Sequence, residues 1–223
     1  MGYEIKCSQA AVTKCAVRPF NNPQLLPTFT AMLQTFLNGD KKLFTFLNNL
    51  HADWLNPVMA FASHRLTWLP LYALLLFVLW RLFRKRVWAP LLVIAITITA
   101  SDQLASAVIK PMFERLRPCH DPALMGHVFT LDGCGGQYGF VSSHAANAFA
   151  LAMLFWLFAG FRWPQLGWLF GWAVLVSYSR IYIGAHFPLD VIFGVLLGAL
   201  LASMVFHAWQ YALAVPLKAS LRY

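Results

Sequence analysis

An all-α, polytopic transmembrane helical bundle is the fold class this sequence predicts, on three observations. Of 223 residues 60% are hydrophobic and 11% charged, with a mean hydropathy of +0.61, whereas a soluble globular domain carries about 25% charged residues. Apolar runs of the roughly 20 residues that a membrane helix needs recur along the chain. Those runs hold Gly, Ala, Ser and Thr, which let helices approach one another, and lack the roughly ten-residue apolar-polar alternation of an outer-membrane barrel. Spans of that length leave little chain for a second, soluble domain.

In chain order, residues 1–31 form an N-terminal extension of unclear structure, with no apolar core of the kind a cleaved secretory signal would carry. Residues 32–66 alternate short apolar clusters with Asn, Asp, Lys and His, which fits interfacial helices or a weak first span. The main transmembrane domain is expected at 67–215, with five clear spans at 67–83, 87–109, 142–160, 164–183 and 188–207 and an outer loop at 111–141. A sixth span in the N-terminal part stays open.

Charge orients the bundle. Arg81, Arg84, Lys85 and Arg86 follow the first span, Arg162 follows the third, and Lys218 and Arg222 follow the last. All fall on one face, which the positive-inside rule makes cytoplasmic. Lys110, the loop 111–141 and Gly184–Phe187 then lie on the opposite, periplasmic or extracellular side of a cytoplasmic membrane. The net charge of +9 therefore reports topology, and no basic soluble module remains for nucleic acid.

Three helix ends meet on that outer side: Lys110 to Pro118, Ser142-Ser143-His144, and Ser179 to Asp190. A single Lys or Arg at a span end ordinarily snorkels to the headgroups. Two histidines, an aspartate and three cations at one leaflet boundary point instead to anion handling, because guanidinium groups match phosphate oxygens and helix N-termini present unpaired N–H groups. Pro188 suits a first helical position, which puts Asp190 in the first turn within hydrogen-bonding range of His186.

These residues resemble the three motifs of the type 2 phosphatidic acid phosphatase family of membrane lipid phosphatases. The first motif is matched by Lys110, Arg117 and Pro118, and the third by Ser179, Arg180, His186 and Asp190. The second, Pro-Ser-Gly-His in the family, reads Val141, Ser142, Ser143, His144, which changes how the backbone N–H at 143 can approach phosphate. The resemblance covers about residues 85–207. It implies that His186 attacks phosphorus to form a phosphohistidine, that Asp190 orients it, and that His144 protonates the departing oxygen and then activates water. Lys110, Arg117, Arg180, Ser142 and the backbone at Ser143 would hold the phosphoryl oxygens. No cofactor and no metal is expected, since the motifs bring cations where a Mg²⁺ site would need carboxylates.

The remaining polar residues of the outer loop have plainer readings. Cys119 and Cys134 form a disulfide if the loop faces an oxidising compartment. Together with His120 and His127 they match no common zinc spacing. The stretch from Gly133 to Gly139 lacks the Lys-Ser/Thr ending of a nucleotide loop and reads as a flexible approach to Ser142. Glu114, Asp121 and Asp132 are expected in solvent or beside Arg115, and Asp102 in a hydrogen bond to another helix.

By analogy with the family, the substrate is a membrane lipid phosphate, first undecaprenyl diphosphate, then lipid A phosphate, phosphatidylglycerol phosphate or phosphatidic acid. The bilayer is the other partner, and no protein partner is called for. A lipid phosphotransferase, a haloperoxidase-like use of the same pocket, and a membrane carrier with a relic site are the alternatives.

Overall fold

The computed structural model describes residues 3–7, 15–19, 25–131, 133–160 and 162–220, with side chains described over 30–131, 133–160 and 162–212. The chain groups into two compact units, Met1–Gly39 and Asp40–Tyr223. In the first unit β1 (Tyr3–Cys7) pairs antiparallel with β2 (Cys15–Pro19). The extension expected at 1–31 lies partly outside the described residues. The interfacial or weak-span reading of 32–66 resolves into a 24-residue helix, α1 (Leu25–Asn48), and a short α2 (Asn56–Ser63).

Beyond them the chain is a helical membrane bundle, as its composition requires. In order come α3 (Leu69–Phe83), α4 (Trp88–Gln103), a π turn over Leu104–Ile109, α5 (Lys110–Phe113), α6 (Ser143–Ala159), α7 (Trp168–Tyr182) and α8 (Pro188–Ser220). Among the described residues three continuous helical stretches are long and apolar enough to cross a membrane: Arg65–Arg86, Trp88–Phe113 and Pro188–Ala212. The apolar helix α6, at 17 residues, is shorter, and so is α7, at 15. Both are shielded by the longer helices: Phe155 of α6 and Leu169 and Trp172 of α7 pack with Leu75 and Leu79 of α3 into one buried cluster. The π turn lies in the second stretch immediately before Lys110, where wider winding changes the face presented by the residues that follow.

α6 and α8 approach backbone to backbone, and glycine makes the approach possible. A Cβ added at Gly194 would lie 2.5 Å from the Ser142 carbonyl oxygen, and one at Gly198 would collide with the Ala146 carbonyl. The four-residue spacing puts both glycines on one face of α8, so the two backbones touch. Gly198→Leu is therefore expected to destabilise the protein by about 1–3 kcal/mol and to lower activity with it. Gly171→Ala serves as control, because that position faces open space. Thermal unfolding in detergent checks it, and equal melting temperatures for the two variants would contradict the packing argument.

Candidate active site

Each of the three motifs is set by a separate piece of local structure. Ser142 caps α6: its Oγ accepts from Ala145 N at 3.5 Å, which leaves the N–H groups of Ser143 and His144 at an open, positive helix end. α7 ends where Ala185 N and His186 N donate to Arg180 O at 3.0 and 3.2 Å. Gly184 turns the chain there at φ 75°, and a Cβ would stand 2.7 Å from the Phe129 carbonyl oxygen, so no other residue fits without a shift. Pro188 then starts α8 as the sequence predicts.

Backbone bonds fasten the motifs to one another. Ser142 N donates to Asp190 O at 2.9 Å, joining the start of α6 to the first turn of α8. Arg117 N donates to Gln137 O at 3.1 Å and Gly139 N to Arg115 O at 2.8 Å, around a bridge between Leu116 and Tyr138. Cys119 and Cys134 are joined by a disulfide with Cα atoms 6.0 Å apart, beside that bridge. The Gly133–Gly139 stretch, expected to be a flexible approach, is thus tied down by backbone pairing and a covalent staple. With both thiols in the bond, the Cys119, His120, Cys134 cluster offers a cation only an imidazole.

The predicted phosphate ligands converge. The Arg117 side chain donates to Tyr138 O at 3.3 Å and Ala185 O at 3.4 Å, so it lies against the His186 turn. Lys110 Nζ reaches Ser143 Oγ at 3.4 Å, which joins the first motif to the second. Arg180 donates to Ser63 Oγ of α2. His186 is 1% exposed; burial, with the positive charges of Arg117, Arg180 and Lys110, holds its pKa well below the ordinary histidine value. The ring is therefore neutral, the form in which a histidine nitrogen can attack.

One expected contact differs. Asp190 Oδ2 is 3.7 Å from His186 Nδ1, beyond a hydrogen bond, and Nδ1 is buried without a partner. The carboxylate is engaged elsewhere: Oδ2 accepts from Phe187 N at 3.0 Å and Oδ1 from Arg115 Nη1 at 2.7 Å. Arg115 was expected beside the loop acids Glu114, Asp121 and Asp132; instead it pairs with Asp190 and with Asp40 of α1. Asp121 pairs with Lys41, and Asp132 lies outside the described residues. Sequence reasoning passed over Arg115, although its spacing from Arg117 was a signal, because residues two apart in extended chain share a face. For Asp40 and Ser63 it offered none.

His144 opens onto a cavity of about 640 Å³ between α3, α4, α6 and α7, bordered also by Arg65, Tyr72, Asp102, Asn147 and Trp172. Asp102 accepts from Asn147 Nδ2 at 3.4 Å, the interhelical bond expected of it. A basic, buried space with one histidine at its wall and a largely apolar cavity beside the second suits an anionic headgroup on an apolar tail.

Comparison with known proteins agrees. Residues 87–214 match the PAP2 superfamily. The lipid A 4'-phosphatase of Bacteroides thetaiotaomicron is 33% identical over 75% of this chain and 75% of its own. The undecaprenyl-diphosphatase of Sulfolobus acidocaldarius is 34% identical over 71% of this chain and 72% of its own. In three dimensions the chain resembles a transmembrane PAP2-type phosphatidylglycerolphosphate phosphatase from Bacillus subtilis, with a TM-score of 0.63 and 23% identity over 79% of this chain and 87% of that one. The family match covers every motif residue from Lys110 to Asp190, and the chain belongs to the PAP2 superfamily as a multi-pass membrane lipid phosphatase.

Proposed function

We propose that this enzyme removes a phosphate monoester from a lipid A-type glycolipid at the periplasmic or extracellular face of a cytoplasmic membrane. The observation that carries the reading is the largely apolar cavity of about 640 Å³ whose lining includes Ser143 and His144 of the second motif. An acyl tail that stays between helices can deliver one headgroup phosphate there. The similarity to a lipid A 4'-phosphatase over 75% of the chain supports the choice. Undecaprenyl diphosphate, the first expectation from sequence, becomes the second reading, supported by similarity over 71% of the chain.

The chemistry proceeds in two steps. His186, with Nδ1 toward Asp190, attacks phosphorus through Nε2; the N–P bond forms as the P–O bond to the lipid breaks, and His144 gives its proton to the departing oxygen. In the second step His144 takes a proton from water, whose oxygen displaces His186 and frees inorganic phosphate. Lys110, Arg117, Arg180, the Ser142 hydroxyl and the N–H group of Ser143 meet the charge that develops on the phosphoryl oxygens. Asp190 holds the imidazole and balances the positive charge of the phosphohistidine, and its 3.7 Å gap closes as that charge appears.

The reading is tested by phosphate release from lipid A, undecaprenyl diphosphate, phosphatidylglycerol phosphate and phosphatidic acid in mixed micelles, with and without EDTA. Lipid A is expected to give the highest kcat/KM, unchanged by chelator. A higher kcat/KM for undecaprenyl diphosphate would reverse the two readings, and loss of activity in EDTA would overturn the metal-free chemistry. Label passing to a second lipid instead of to free phosphate would make the enzyme a phosphotransferase.

A further inference from the structure

The ion pairs behind the His186 turn reach an element outside the family match, which begins at residue 87. Arg115 donates through Nη1 to Asp190 Oδ1 at 2.7 Å and through Nη2 to Asp40 Oδ2 at 2.5 Å. Its guanidinium carbon stands 4.5 Å from the centre of the Phe187 ring. The other oxygen of Asp40 accepts from Leu189 N at 3.0 Å, an N–H of the first turn of α8 that has no helical partner. Both carboxylates are buried, Asp40 at 5% and Asp190 at 0% exposure. Asp190 and two of the three residues before it, Phe187 and Leu189, are therefore gripped from one side by a single arginine and a single aspartate.

We propose that Arg115 and Asp40 are positioning residues for the phosphoryl-transfer step, a role that rests on the assignment of His186 and Asp190 above. Asp40 fixes the guanidinium, the guanidinium fixes Oδ1 of Asp190, and Oδ2 is thereby aimed at His186 Nδ1. Removing Arg115 leaves a buried carboxylate oxygen without a donor, and the cheapest repair is rotation of Asp190 toward another N–H. That rotation carries Oδ2 farther from the imidazole, beyond the present 3.7 Å. Removing the charge of Asp40 frees Arg115 to follow Asp190 out of register, even where an asparagine oxygen still accepts from Leu189 N. Neither residue touches the phosphate, so the effect falls on the chemical step and spares binding.

The test uses the purified full chain with Arg115→Ala, Arg115→Lys and Asp40→Asn, and Lys41→Ala as a control that removes only the pair with Asp121. Arg115→Ala and Asp40→Asn are expected to lower kcat about 10- to 100-fold, the size of a small misplacement of a catalytic group, with KM changed less than about threefold. Arg115→Lys recovers part of the loss, because an ammonium reaches one carboxylate and lacks the fork for both. Millimolar guanidinium ion restores Arg115→Ala, a response that a strut lost from the fold would not give. Unchanged kcat in either Arg115→Ala or Asp40→Asn overturns the proposal, as does a rise in KM alone, or a loss shared equally by Lys41→Ala. Where Arg115→Ala melts early and guanidinium does nothing, the residue is structural and the proposal fails. His186→Ala in the same assay keeps the two questions apart: activity there would sink the site assignment itself, while an inactive His186→Ala beside fully active Arg115 variants would sink only this inference.

Discussion

His186→Ala is expected to abolish phosphate release, by on the order of 10⁴-fold or more, the scale on which enzymes lose rate when a covalent nucleophile is removed. The substitution leaves Lys110, Arg117 and Arg180 in place, so lipid binding should persist while turnover stops. The wild-type pH profile adds a second check. His186 is held below its ordinary pKa by burial first and by three neighbouring cations second. A depressed value keeps the ring neutral to lower pH, so protonation of the nucleophile should not reduce kcat/KM as pH falls through about 6.5. Residual turnover above about 1% in His186→Ala would end the phosphohistidine mechanism.

The second large effect belongs to His144, and it depends on the leaving group. With a lipid substrate, whose departing oxygen needs a proton, His144→Ala should slow turnover by about 10²- to 10⁴-fold. With para-nitrophenyl phosphate, which leaves without help, the first step should survive and the second should not. Acid-labile, base-stable phosphate would then accumulate on the protein, detectable with ³²P and absent from His144→Ala/His186→Ala. If both substrates are slowed equally and no phosphoenzyme is trapped, His144 has no separate role in the two steps.

Much of this molecule could be read from local signals, and the residues show where such signals stop. The helix starts at Ser142 and Pro188 follow from a hydroxyl that caps and a ring that fits a first turn, both short-range effects. The cysteine pair and the Asp102 hydrogen bond were legible for similar reasons: an outer loop permits one, and a carboxylate inside a span demands the other. The partners of Asp190 were not. Spacing put Asp190 within reach of His186, but it could not show that Phe187 N and Arg115, 75 residues away, would take the carboxylate first. Ion pairs between distant segments leave no period in a sequence, and Asp40 looks like any charge on a half-polar helix. Apolar run length gave the helices but not an exact number of spans, since α6 and α7 are 17 and 15 residues long and fall short of the roughly 20 a lipid-crossing helix needs.

The glycine contact between α6 and α8 bears on how the enzyme meets membranes of different thickness. Helices accommodate a thicker or thinner bilayer by tilting, at a cost of fractions of a kcal/mol per ångström. Side-chain interfaces slip under such tilting because rotamers can change, whereas peptide resting on peptide at Gly194 and Gly198 has nothing to rearrange. His144 rides on α6, Asp190 lies in the first turn of α8, and His186 stands two residues before that helix. The spacing between the two histidines is thus gauged by main chain, and tilting of α3 or α4 leaves the α6–α8 contact that sets it with no rotamer to change.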